Sequence, residues 1–475
     1  MLMVDMLIAI PLNVFARRFG EYLYLFNQRN WNSALIRMPD YFDPLFDRHP
    51  RDIDLIAKAI SRDTGIAANG IRCDIMDFVN PLIQDGYLVS GKTIKLVTSS
   101  EQFEANVAPT FDKATPRAIE NDGVPSHYRA DTEAAERGTD ALMQYFMSHP
   151  TPFELCVDLT RDCTARCIHC YVSEFEHVSL PTEIVKKAMR EFKKMGGLKV
   201  KLTGGECMLH KDFVEILEEA RMDDLVIFVL SNLSVCGKKE IEAMRHCHVA
   251  TVQCSLYGAD AVTHEAVTRR PTFGATISAI YRLREAGIPV RIHCPVMKQN
   301  INGVGKVLEL GEKLGIRVSL DASIMSRADH DTINQKNELC GSQLRGYLRK
   351  YENIMCCVDG KETCVKPDDA VCEIGTSKIC LSASGEYYPC NGCYDYKLGN
   401  CQSTLMEVWD GEPIRRIRAL KWGDMKSCMN CKDLNYCSVC PSRNFNATGD
   451  FASPDPALCR LAKTRHSMAK ESAIC

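Results

Sequence analysis

Asp162-Cys163-Thr164-Ala165-Arg166-Cys167-Ile168-His169-Cys170-Tyr171 sets three thiols within eight residues, spaced C-x3-C-x2-C, and no further cysteine follows for thirty-six positions. A complete structural site, whether zinc or iron-sulfur, normally takes four protein ligands. Three closely spaced cysteines therefore predict a cluster with one coordination position open, and an open position implies chemistry rather than scaffolding. The plainer alternative is a run of buried, redox-inert thiols, and the rest of the chain has to decide between the two.

The spacing resembles the signature of the radical S-adenosylmethionine (radical SAM) enzymes, C-x3-C-x-(aromatic)-C, with His169 in the ring position. The resemblance implies that Cys163, Cys167 and Cys170 hold three irons of a 4Fe-4S cluster. The fourth iron would bind the amino and carboxylate groups of S-adenosylmethionine, whose reductive cleavage gives a 5'-deoxyadenosyl radical.

After Pro152 the sequence alternates strand and helix. Candidate strands are Phe153 to Thr160, Lys199 to Thr203, Leu225 to Ser231, Ala250 to Leu256, Val290 to Met297 and Arg317 to Asp321. Amphipathic helices lie between them, for example Ile184, Val185, Ala188, Met189 and Phe192 ended by Gly196-Gly197. A second such helix carries Phe213, Ile216, Leu217 and Ala220, with Asp212 and Glu215 placed as a capping box. Six β/α units predict an α/β fold with a parallel, partial (β/α)6 TIM-like barrel. Active sites of such sheets sit at the carboxyl ends of the strands, where the cysteine loop falls.

Thr203-Gly204-Gly205-Glu206 follows the second candidate strand. The glycines allow a backbone path close to a neighbouring group, and Glu206 offers an acceptor for an ammonium. The run resembles the radical SAM GGE motif that holds the methionyl amino group, although Cys207 stands where the family usually has proline. Ser231-Asn232 resembles the third-strand TN element, and Ser255 in Cys254-Ser255-Leu256-Tyr257 the fourth-strand SLD, with Tyr257 replacing the acid. Arg291 is a candidate partner for the cofactor carboxylate. Ordinary strand-end packing is the competing reading for each of these.

The carboxyl-terminal third carries Cys372-x12-Gly385-x4-Cys390, then Cys428-x2-Cys431-x5-Cys437-x2-Cys440 and, after eighteen residues, Cys459. These intervals resemble the SPASM domain, with x2 where the family often has x3 before the sixth cysteine. By spacing alone, Cys428, Cys431, Cys437 and Cys440 would also serve as a zinc knuckle. The resemblance implies two auxiliary 4Fe-4S clusters, one on Cys428, Cys431, Cys437 and Cys459, the other on Cys372, Cys390 and Cys440. The latter lacks an assigned fourth ligand, and Cys356, Cys357, Cys364 and Cys393 are candidates alongside an open iron. Gly385 opens an expected hairpin between Ile379-Cys380-Leu381 and Tyr387-Tyr388 that brings Cys390 back beside Cys372.

The amino-terminal stretch to about residue 98 reads as a small α+β unit. Strand-like runs Pro11 to Ala16 and Glu21 to Phe26 precede helical patterns at Ile53, Ile56, Ala59 and Ile60, then at Ile75, Phe78, Val79, Leu82 and Ile83. The run Tyr87-Leu88-Val89 returns after Gly86, as in a winged helix. Residues 1 to 100 hold eleven Lys/Arg and eleven Asp/Glu, which gives no basic footprint for nucleic acid. The order resembles the peptide-recognition elements that precede many radical SAM peptide maturases, where a precursor's leader adds as a strand to a sheet edge. The expected organisation is a winged-helix-like leader-recognition domain over 1–98, a linker over 99–150, the radical SAM partial barrel over 151–345 and the SPASM domain over 346–475.

Net charge is -3 over 475 residues, so no global field favours nucleic acid or an anionic membrane. The amino terminus lacks a basic segment and a cleavage pattern, and no stretch reaches the ~20 apolar residues that span a bilayer. A cytoplasmic location is expected, where 25 cysteines are read as ligands or buried thiols rather than disulfides. The resemblance as a whole implies a radical SAM enzyme that forms Cys-to-carbon thioether cross-links in a precursor peptide or small protein, supplied with electrons by a flavodoxin or ferredoxin. Other outcomes of the same architecture are a carbon-carbon cross-link, formylglycine formation in a sulfatase, or epimerisation. A non-catalytic zinc- and cysteine-rich binding protein is the reading from a different class.

Overall fold

The computed structural model describes residues 6–38, 40–91, 138–173, 177–352 and 365–473. The described residues form two compact units, one made of the chain up to His149 with Asp224–Val226, the other of the rest.

In the amino-terminal unit β1 (Leu7–Ala9) lies between β5 (Arg51–Asp52) and β6 (Val89–Gly91). A second antiparallel sheet is formed by β2 (Val14–Phe19), β3 (Tyr22–Asn27) and β4 (Ser33–Arg37). The first expected strand is displaced by three residues because Asn13 and Gln28 close the β2–β3 ladder, where Gln28 N donates to Asn13 O at 2.7 Å. Helix Ile53–Thr64 starts at Asp52, whose carboxylate accepts from Asp54 N and Leu55 N, and stops at Gly65 with φ +74°. Helix Ala68–Gln84 follows, and its Ile75 and Val79 are buried with Ile8, Leu25, Leu45 and Ile53 in one core. Tyr87 and Leu88 belong to that core rather than to the returning strand, which begins at Val89. Helix Gly138–Ser148 completes the unit, with Phe146 edge-on to Phe19 at 5.1 Å. The remainder of the expected linker, residues 99–137, lies outside the described residues.

The second unit is built on parallel strands β7 (Glu154–Asp158), β8 (Lys199–Thr203), β9 (Val226–Ser231), β10 (Thr251–Ser255), β11 (Val290–Pro295) and β12 (Arg317–Asp321). Each is followed by at least one helix and neighbours the next in order, the winding of an incomplete (β/α) barrel. The free edge of β7 is not left open. It pairs in parallel with β13 (Lys378–Leu381), which continues through β14 (Glu386–Tyr388) and β15 (Gly399–Asn400), so barrel and cysteine-rich segment share one nine-stranded sheet. The expected hairpin at Gly385 is present, with φ +83° and Gly385 N donating to Ser382 O at 2.9 Å.

The expected capping box of helix Phe213–Met222 does not form. The Asp212 carboxylate accepts instead from Thr182 Oγ1 at 2.5 Å, and Glu215 pairs with Lys186, so both acids tie this helix to helix Thr182–Lys194.

Candidate active site

The cysteine loop leaves β7 at its carboxyl end and is fixed by backbone bonds to the rest of the barrel. Arg166 N and Ile168 N donate to Thr268 O and Val267 O at 2.8 and 3.1 Å, at the end of helix Ala261–Thr268. The Arg166 guanidinium turns back onto Cys163 O at 2.7 Å, while Asn334 Nδ2 holds His169 O at 3.1 Å and Asn337 Nδ2 holds Ile168 O at 3.0 Å. These two asparagines are buried and were invisible to sequence reasoning, since nothing in Asn334–Asn337 has a motif.

The three thiols stand near one another. Burial pushes Cys167 up to about 12 and Cys170 up to about 11, with the neighbouring thiols adding to the rise, and burial followed by the charge of Glu206 raises Cys163. Thiols held neutral by burial become thiolates when a cation binds them, which is the chemistry of a ligand set. Cys163 Sγ accepts from Ala165 N at 3.4 Å and Asn232 Nδ2 at 3.7 Å, and Tyr257 Oη lies 3.8 Å from Cys167 Sγ. Among the described residues no three His, Cys, Asp or Glu side chains converge on a single metal ion. In a 4Fe-4S cluster the cysteines bind different irons and stand apart, so this does not conflict with a cluster at the loop.

The role of Gly204 and Gly205 is set by the cysteine loop itself. A Cβ on Gly204 would meet Thr160 O at 2.4 Å, and one on Gly205 would meet Asp162 O at 2.3 Å. Gly204 also has φ +130°, open to glycine. The approach permits two bonds, Gly205 N to Thr160 O and Glu206 N to Asp162 O, both 2.7 Å. The Glu206 carboxylate is fully buried and draws in the end of β9. Its Oε1 accepts from Ser231 Oγ at 2.7 Å and Met208 N at 3.2 Å, its Oε2 from Asn232 N at 2.8 Å. Burial raises its pKa against these bonds. A carboxylate has about four acceptor positions, so Oε2 retains capacity for a further donor. Cys207 is buried and donates to Leu230 O at 3.5 Å.

Ser255 hydrogen-bonds to Tyr257, whose ring lies edge-on to His169 at 5.1 Å. His169 is half-buried and its buried Nδ1 has no hydrogen-bond partner, an orphaned polar atom beside the thiols that a bound group could satisfy. Its pKa falls to about 4 through burial and then the charge of His293. Arg291 aligns with Gln253, two residues below the strand end, whereas His293 aligns with Ser255. His293 is therefore the better-placed side chain. Its signal was available as the residue two beyond Arg291 on the same strand face.

A pocket with about 520 Å³ of open space is lined by Asp158, Thr160, Arg161, Gly204, Gly205 and Tyr394, among others. Asp158 is 4% exposed and accepts from Tyr388 Oη at 2.5 Å; burial lifts its pKa to about 6 despite this bond, one from Tyr394 and the charge of Arg161. Tyr394 in turn stacks on Tyr171 at 5.9 Å.

The carboxyl-terminal cysteines fall into two groups. Cys428, Cys431, Cys437 and Cys459 line one cavity with about 470 Å³ of open space. Burial and the other three thiols push Cys437 up to about 11. Cys372 is pushed up to about 12 by burial, with Cys390 and Cys440 adding to it, so these three form the other group. Cys356, Cys357 and Cys364 lie outside the described residues.

Residues 157–311 match the radical SAM superfamily, and residues 372–432 match the SPASM iron-sulfur cluster-binding domain. The chain thus carries a radical SAM domain followed by a SPASM domain. It is 26% identical over 334 residues to the AdoMet-dependent heme synthase of Methanosarcina barkeri, covering 63% of this chain and 94% of that protein. It is 22% identical over 342 residues to the PqqA peptide cyclase of Granulibacter bethesdensis, covering 67% and 89%. Its fold is like that of Streptococcus suis SuiB crystallised with the precursor peptide SuiA, with a TM-score of 0.59 at 16% identity over 96% of this chain and 100% of that one. No helix among the described residues is long and apolar enough to cross a membrane.

Proposed function

We propose that this enzyme modifies a ribosomally made precursor peptide or small protein, and that it joins a cysteine sulfur to a carbon of another residue. The observation that carries the peptide reading is the amino-terminal unit. The fold likeness to SuiB, a protein solved with its precursor peptide, extends over 96% of this chain and so includes that unit, whereas the alignment with the heme synthase covers 63%. The unit offers edge strands, β2 and β4 among them, to which a leader can add as a further strand with main-chain bonds supplying affinity.

Cys163, Cys167 and Cys170 would hold the S-adenosylmethionine-binding cluster, and the two carboxyl-terminal groups of thiols an auxiliary cluster each. When bound, these would supply a 5'-deoxyadenosyl radical able to take a hydrogen atom from a substrate carbon, and acceptors for the second electron of a net oxidation. Glu206 Oε2 would receive the cofactor ammonium, and Ser231 and Asn232 fix that carboxylate in place. Ser255 and His169 would supply polar contacts at the same strand ends, with His293 beside Ser255 and Arg291 two residues further back on its strand. A flavodoxin or ferredoxin would deliver electrons, and a reducing cytoplasm suits a chain with this many thiols.

Anaerobically reconstituted protein should contain iron and sulfide for three 4Fe-4S clusters, little zinc, and should release 5'-deoxyadenosine. Alanine at Cys163, Cys167 and Cys170 together should abolish that release while sparing the auxiliary iron. Retained cleavage in the triple variant, or abundant zinc without deoxyadenosine, contradicts the reading.

A further inference from the structure

We propose that Cys393 is the fourth protein ligand of the cluster held by Cys372, Cys390 and Cys440, so that this auxiliary cluster is closed to outside ligands. The assignment rests on the SPASM cluster reading above and goes beyond it, because spacing alone leaves the position open.

Cys393 is fully buried and follows Cys390 in a tight turn, with Cys393 N donating to Cys390 O at 3.1 Å. Gly392 makes the turn possible at φ +85°, and a Cβ there would strike Met325 Sδ at 2.6 Å. The turn sends both thiols towards Ser442. Its hydroxyl lies 2.8 Å from Cys393 Sγ and donates to Asn391 O, next to Cys390, at 3.2 Å. Ser442 itself stands two residues beyond Cys440, at the start of helix Pro441–Thr448. One hydroxyl thus ties the Cys393 thiol to the turn that carries Cys390, and its residue stands two positions from Cys440. Cys372, Cys390 and Cys440 are all close enough to act on Cys393 electrostatically.

The competing role is packing. Cys393 shares a buried cluster with Cys380, Tyr388 and Phe445, and small apolar thiols are common in such places. A packing thiol needs no polar neighbour, however. A hydroxyl within hydrogen-bond reach of the sulfur is what outer partners of cluster ligands provide, and such bonds help set the cluster's potential. A closed cluster has no iron free to bind a substrate thiolate, which leaves it the work of carrying electrons.

The test uses full-length protein with Cys163, Cys167 and Cys170 changed to alanine, so that auxiliary clusters are the only iron-sulfur centres. Carbon-13-labelled cyanide is added to the reduced protein and its coupling to the clusters is read by pulsed EPR. No coupling is expected while Cys393 is present, and coupling is expected when Cys393→Ala is added. The near-isosteric Cys393→Ser, which preserves packing, should shift one of the two cluster signals, whereas Cys73→Ser at an exposed site should shift neither. Cyanide coupling with Cys393 intact, or an unchanged spectrum in Cys393→Ser, overturns the assignment. A triple variant without any cluster signal refutes the SPASM reading beneath it, and the two failures are thereby told apart.

Discussion

Gly205 shows how a legible motif acquires its reason only from the fold. The sequence marks Gly204-Gly205-Glu206 as a turn open to a close neighbour, and that neighbour is the backbone of the chain's own cysteine loop, 2.3 Å from the Cβ that Gly205 lacks. Gly205→Ala should cost about 1–3 kcal/mol and lower the thermal midpoint, because the loop must move or lose its two backbone bonds. The same variant should retain auxiliary iron but lose iron from the cysteine loop, as measured by iron content before and after adding it to the triple-alanine background. Asp158 makes a second prediction. Its folded pKa of about 6 lies above the ordinary ~3.9, so the folded protein holds a proton that the unfolded chain has lost between those values. That contribution, at most about 3 kcal/mol, is fully present below pH ~3.9 and fades as pH rises through about 6. Asp158→Asn removes the dependence. The stability advantage of wild type over this variant should therefore shrink from about pH 5 to about pH 7.5 in urea titrations; a growing advantage would show that the carboxylate is favoured by its tyrosine partners.

Secondary structure elements were legible to different degrees, for physical reasons. Five of the six barrel strands carry buried residues, the edge strand β12 none, and helices flank them all, a local pattern that needs no knowledge of distant chain. Expected boundaries of β9 and β10 shrink by a residue at one or both ends, where hydrogen bonding stops before hydrophobicity does. β4 was missed because Ser33–Arg37 is a short strand without alternation strong enough to announce itself. The parallel pairing of β13 with β7 could not be read at all. It joins Ile379 to Leu155 across more than two hundred residues, and only the unpaired edge of an incomplete barrel calls for it. Asp212 illustrates a competing partner: a residue with the right spacing for a cap is taken by Thr182. The hairpin after β13 depends on Gly385, whose φ is +83° and whose missing Cβ would sit 2.8 Å from Cys401 Sγ. Gly385→Val should lower the thermal midpoint, at a cost of about 1–3 kcal/mol, and reduce auxiliary iron, since Cys390 follows directly on that hairpin.

For the molecule as a whole, the sequence marked the cysteine loop and both carboxyl-terminal groups of thiols, because the spacing of such thiols is itself the signal. It could not name the substrate, whose recognition is spread over ordinary residues. The account divides the work between the two units. Protein lacking residues 1–91 should still release 5'-deoxyadenosine, yet modify a precursor peptide far more slowly than the full chain, by tenfold or more if leader binding contributes ~1.4 kcal/mol or more. The most direct measurement is the mass of a cysteine-containing precursor peptide after incubation with reconstituted enzyme, S-adenosylmethionine and a reductant. Loss of two hydrogens for each cross-link, with fragmentation placing the new bond on a cysteine sulfur, is the expected result. A peptide of unchanged mass alongside abundant 5'-deoxyadenosine, across the short cysteine-containing reading frames that neighbour the gene, would contradict thioether formation.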